Sequence, residues 1–115
     1  MNKILGADAY FGIKIRKADA TFQDLSVYEN ISLALRFSDG SAIVGRVVPD
    51  PEVEDELTIE TQSSTLYYLI VPRALTEDKP AGIGYAELSI LAGDDWKTIS
   101  QPAELRWVKP KTTVV

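Results

Sequence analysis

The chain of 115 residues contains no histidine and no cysteine. The missing cysteine removes disulfides, thiolate nucleophiles and thiolate zinc sites together, so the fold must stand on its core alone and tolerates any redox compartment. The missing histidine excludes Ser-His-Asp and Cys-His constellations and most zinc sites, leaving carboxylate, Ser-Lys or tyrosine chemistry. Long apolar runs are absent as well. The longest, Leu66 to Val71, holds two tyrosines and falls far short of the roughly 20 residues needed to span a bilayer. Asp8, Lys14 and Arg16 interrupt the N-terminal region before an apolar export core can form, which predicts no export signal.

What is present describes an ordinary globular domain. The length fits one hydrophobic core, and 45% hydrophobic with 25% charged residues argues against wholesale disorder. We therefore expect a single domain over residues 1–115, with its core at 9–108 and a flexible or partner-bound tail at 109–115. Twelve basic against seventeen acidic residues give a formal net charge of −5. Such a chain repels a phosphate backbone, so nucleic acid is not an expected partner.

Apolar alternation carries the fold reading. Ile31, Leu33, Leu35 and Phe37 alternate with Ser32, Ala34 and Arg36, a period of two that fits a half-buried strand. Asp39-Gly40 supplies the turn, and Ala42 to Val48 reads as the returning strand. Pro49 and Pro51 introduce the acidic stretch Glu52 to Glu56, which is expected to be an exposed loop. Leu57 and Ile59 mark a short strand, Gln62-Ser63-Ser64 a polar turn, and Leu66 to Val71 a strand expected to be buried on both faces. After Pro72, residues 73–79 leave room for one short helical turn before Pro80 and Gly82.

Tyr85, Glu87 and Ser89 then alternate with Ala86, Leu88 and Ile90. Gly93-Asp94-Asp95 turns the chain toward Trp96 to Ile99, and Leu105, Trp107 and Val108 form a last strand. Tyr10 to Ile15 is a further strand candidate. Phe22, Leu25 and Tyr28 suit either one amphipathic turn or a loop dropping aromatics on the core. Seven or eight short strands with turns every 8 to 12 residues or so predict an all-β sandwich or barrel. No internal repeat or linker is visible.

Candidate sites are sparse. Glu52, Glu54, Asp55 and Glu56 crowd one proline-flanked loop instead of facing each other across a cleft, as paired glycosidase carboxylates would. Their spacing from Asp50 lacks the glycine turn and distal glutamate of the known calcium loop. Asp94 and Asp95 beside Trp96 suit either sugar stacking or a hairpin turn followed by a packed aromatic. Trp96 and Trp107 read as core or subunit-interface residues. Tyr67 and Tyr68 are adjacent and must face opposite sides of a strand, so one of them is a contact candidate. Gly82, Gly84 and Gly93 precede no helix and so do not form a phosphate cradle.

The order Ile31-Ser32-Leu33-Ala34-Leu35-Arg36-Phe37, Ser38-Asp39-Gly40-Ser41, Leu66 to Val71, Leu75-Thr76-Glu77, Pro80-Ala81-Gly82 and Tyr85-Ala86-Glu87-Leu88 resembles small immunoglobulin-like domains of tailed-phage and prophage particles. Notable among them are the N-terminal domain of baseplate upper proteins and related tail or fibre components. The resemblance spans residues 28–108, and the segment Tyr10 to Ile15 is an addition to its pattern. It implies a single antiparallel, immunoglobulin-like β-sandwich without catalytic, cofactor-binding or metal residues. It also implies an assembly role in a virion, or in the host cytoplasm during assembly, through contacts with other particle subunits or with itself. Tyr67, Tyr68, Trp96 and Trp107 are the expected contact residues, together with the C-terminal tail. The rival expectation is a carbohydrate-binding module using the same aromatics with Asp94 or Asp95.

Overall fold

The computed structural model describes residues 2–99 and 102–110. The alternating segments form strands: β1 (Asn2–Ile4), β2 (Ala9–Ile13), β3 (Asn30–Arg36), β4 (Ala42–Arg46), β5 (Leu57–Thr58), β6 (Glu60–Thr61), β7 (Tyr67–Val71), β8 (Gly82–Ala92), β9 (Asp95–Thr98) and β10 (Ala103–Val108). They build two sheets. The larger has the order β1-β10-β8-β3-β4-β5 with β9 also on β8, and the smaller has the order β2-β7-β6. Two sheets enclosing one common core make an all-β sandwich.

Two expectations are corrected. Ten strands occur among the described residues, instead of seven or eight, because β1 was not legible and the 57–61 segment divides between the sheets. The larger sheet is also mixed, with β1 parallel to β10 and β5 parallel to β4. Residues 47–56 are long enough to carry the chain back along β4, so β5 starts at the same end as its neighbour, whereas a tight hairpin would force an antiparallel return. Ile59, 2% exposed, sits at the step between the sheets and donates its N–H to Arg46 O at 2.8 Å.

The β3–β4 hairpin matches its sequence. Phe37 N–H donates to Ser41 O at 2.9 Å and Gly40 N–H to Phe37 O at 3.0 Å, with Gly40 at φ 86°. Only the glycine needs positive φ, which is the arrangement of a turn closed by a bulge. Asp39 locks it by accepting from Ser41 N at 2.9 Å and Ser41 Oγ at 2.6 Å. Asp19 with Thr21 and Asp24 with Ser26 repeat this device in the β2–β3 loop.

The core lies between the sheets and is built from the expected faces: Phe11 and Ile13 of β2, Ile31, Leu33 and Leu35 of β3, Leu69 and Val71 of β7, and Leu105 and Trp107 of β10. Leu5, ahead of the expected core, joins it, as does Leu25 from a 3₁₀ turn at Leu25–Val27. Trp107 stacks on Phe37 with ring centroids 4.5 Å apart and donates Nε1–H to Arg36 O at 3.3 Å. β7 alternates buried and half-buried residues, so its burial is one-sided, contrary to the two-sided expectation. The smaller sheet has no further layer among the described residues to cover its outer face.

Candidate interaction surfaces

The four expected contact residues separate cleanly. Trp107 is 1% exposed and Tyr67 is 6% exposed. Both belong to the core, so they are corrected from contact candidates to packing residues. Alternation places Tyr68, adjacent to Tyr67, half-buried on the outer face of the smaller sheet, and Trp96 is 43% exposed on the larger. The tail beyond Pro110 lies outside the described residues.

Registers assemble the outer face of the larger sheet. Trp96 of β9 is opposite Leu91 of β8, Tyr85 of β8 is opposite both Glu104 of β10 and Arg36 of β3, and Arg46 of β4 is opposite Ser32 of β3. Small side chains at Ser32, Ala34 and Ser89 keep the centre of this face low. Across it the Arg46 guanidinium reaches the Trp96 ring, 5.1 Å from its centroid. Glu56 holds the other side of Arg46, 3.1 Å from Nη1. The Glu56 side chain is only 4% exposed, so the acidic loop is not uniformly solvated as expected: its last carboxylate folds in against Arg46 and also accepts from Asp50 N.

Arg36 and Glu87 form a second pair on this face at 3.3 Å, beside exposed Tyr85 and Ile83. Tryptophan, tyrosine and arginine on one face form the composition that dominates protein–protein hot spots. Sequence reasoning singled out Trp96 but missed Arg46 and Tyr85, because only strand register shows that they share a face.

The smaller sheet presents another apolar face. Tyr10, 61% exposed, is opposite half-buried Ile70, and Gly12 is opposite Tyr68. At its far end Lys14 Nζ lies 4.6 Å from the centre of the Phe22 ring, and the Arg16 guanidinium flanks the same ring. Phe22 therefore serves the surface, while Leu25 serves the core.

Asp19, Asp24 and Asp39 have carboxyls held below the usual range, chiefly because each accepts a hydroxyl hydrogen bond, from Thr21, Ser26 and Ser41 respectively. A cleft of about 620 Å³ lies between β4, the acidic loop and the 3₁₀ turn Arg73–Leu75. Its apolar wall of Ile43, Val44 and Leu75 is rimmed by Glu54, Asp55 and Asp78 together with Arg46 and Lys79. Among the described residues no group of three or more acidic side chains has a metal-holding arrangement, and no helix is long and apolar enough to cross a membrane.

These features define a class by fold alone, an all-β sandwich with aromatic outer faces. The chain matches no protein-family model, no curated protein and no solved structure.

Proposed function

We propose that the chain is a non-catalytic assembly protein, a tail, baseplate or fibre component of a tailed-phage or prophage particle that acts through protein–protein contacts. The observation that carries the reading is the outer face of the larger sheet, where Trp96, Arg46, Tyr85 and Arg36 share one surface. Burying such a face stabilises a complex through a few large anchors, and Arg46 is already oriented by Glu56, so little freedom is lost on docking. The particle context rests on the sequence resemblance across residues 28–108.

A carbohydrate-binding reading has one observation in its favour, exposed Trp96 beside exposed Asp94 and Asp95. A sugar stacks on a free aromatic face, however, and one face of this indole carries the Arg46 guanidinium. That contact favours the assembly reading.

The test begins with sequencing the DNA that flanks the gene and purifying the proteins encoded there. Expected is binding to a particle subunit, weakened at least tenfold, about 1.4 kcal/mol, by Trp96→Ala in a chain that melts within about 4 °C of the parent. Binding on a glycan array abolished by the same substitution, with no subunit bound, would overturn the assembly reading in favour of its rival.

A further inference from the structure

β2 is an edge strand of the smaller sheet, paired with β7 on one side only. Hydrogen-bond parity shows what its other side offers. Gln62 N–H donates to Leu66 O at 3.1 Å, and in an antiparallel ladder directly opposed residues alternate between bonding toward a partner and away from it. In β7 the even-numbered residues therefore bond toward β6, while Tyr67, Leu69 and Val71 bond toward Ile13, Phe11 and Ala9. The backbone groups of Tyr10 and Gly12 consequently point away from β7. Lys3 agrees, because its Nζ donates to Tyr10 O at 2.9 Å.

Natural edge strands are usually blunted by charges, proline or a bulge. Residues Ala9 to Ile13 hold no charge and no proline, and their register against β7 runs without interruption. Lys3 alone guards this edge among the described residues.

We infer that a second copy of the chain pairs with this edge, β2 against β2, antiparallel and centred on Phe11. The inference rests on the assembly reading and names one of its partners. Residues 8, 10, 12 and 14 all lie exposed on one face, and the two-fold register decides what they meet. Centring on Phe11 sets Tyr10 against Gly12 of the second copy and Asp8 against its Lys14, each contact occurring twice as an isologous interface requires. Centring on Tyr10 would instead oppose two tyrosines and set Asp8 against glycine, and centring on Gly12 would set Lys14 against Tyr10. Only the Phe11 register pairs opposite charges and drops an aromatic over a glycine.

The chosen register also matches the hydrogen-bond parity, since Tyr10 and Gly12 are the residues whose N–H and C=O face outward. Asp8 Oδ1 accepts from Arg73 N at 2.8 Å, which orients the carboxylate and leaves Oδ2 for Lys14 of the second copy. Across the joined sheet the row runs Ile70, Tyr10, then Gly12 and Tyr68 of the second copy. Gly12 N–H of that copy takes the place of the Lys3 ammonium on Tyr10 O.

Sedimentation velocity across concentrations from about 10 µM to about 1 mM, the range of weak association, tests the pairing. The chain should dimerise with concentration. Gly12→Pro deletes an N–H that β7 does not use, and should raise the dissociation constant at least tenfold with the melting temperature kept. Lys14→Glu, a surface change that keeps the fold if proline does not, should also weaken the dimer by opposing Asp8, and Lys3→Met should tighten it. A chain that stays monomeric throughout, also as Lys3→Met, overturns the inference, as does a dimer unmoved by both Gly12→Pro and Lys14→Glu. A monomer that still binds a flanking-gene protein refutes self-pairing alone and leaves the assembly reading standing.

Discussion

Replacing Trp107 by alanine should destabilise the domain far more than the same change at Trp96, and the structure gives the size of the difference. Trp107 is 1% exposed, stacked 4.5 Å from Phe37 and tilted 6.3 Å from Phe11. Truncating a buried tryptophan to alanine costs about 3–5 kcal/mol. The stacked geometry argues for the upper half of that range, since an aromatic pair contributes about 0.5–1.5 kcal/mol beyond its area. Loss of the Nε1 hydrogen bond to Arg36 O adds about 1 kcal/mol at most. Trp96 is 43% exposed with the Arg46 guanidinium 5.1 Å from its ring centre, so its truncation should cost about 1 kcal/mol or less. A domain of this size loses about 4 °C of melting temperature per kcal/mol, which separates about 16–24 °C for Trp107→Ala from at most about 4 °C for Trp96→Ala. Circular-dichroism melts and urea titrations with an unchanged m-value measure both. Equal shifts for the two variants would refute the assignment of one tryptophan to the core and the other to the surface.

Gly84→Ala should abolish folding, because its Cβ would lie 1.8 Å from Arg36 O, a backbone atom with no room to retreat, whereas at Gly45 the obstacle is the flexible end of Leu69 at 2.6 Å and a loss of about 1–3 kcal/mol is expected. Soluble yield and urea midpoints distinguish the two. Lowered carboxyl pKa values at Asp19, Asp24 and Asp39 mean that these groups bind protons more weakly folded than unfolded. Their contribution is complete above about pH 4, the unfolded value, and is lost as pH falls through the lower folded values. Melting temperature should therefore drop in that acid window, and Asp39→Asn should make the drop shallower. Glu56→Ala leaves Arg46 without its carboxylate and should cost about 1–3 kcal/mol, with a change in Trp96 fluorescence as the guanidinium above the ring moves.

The readable part of this fold is the part that alternates. Ile31, Leu33 and Leu35 recur at every second residue because their side of β3 faces the core, and Gly40 marks its turn because positive φ disfavours other residues. β1 escaped because three residues with exposed ends carry no period, and their place is set by Leu5 and by pairing with β10, a partner about a hundred positions away. The contact surfaces were half legible. Alternation shows that Tyr67 and Tyr68 face opposite ways, but which of them is buried depends on the opposite sheet. Trp107 and Trp96 look alike in sequence, and it is the packing of Trp107 on Phe37 and Phe11 that distinguishes them. The Arg46–Trp96 contact joins β4 to β9 across two intervening strands, a relation that no local pattern encodes.

The parallel alignment of β1 with β10 has a mechanical consequence. Asn2 lies beside Arg106 and Ile4 beside Val108, with Leu5 N–H donating to Val108 O at 2.8 Å. A force that pulls the chain before Asn2 and after Val108 in opposite directions runs along these strands, so the cross-strand bonds are loaded in shear and must yield together, whereas a hairpin pulled at its open end unzips one bond at a time. Extended between two fixed points, the domain should resist as a clamp, and its resistance should fall sharply when Leu5→Pro removes the N–H at the end of the row.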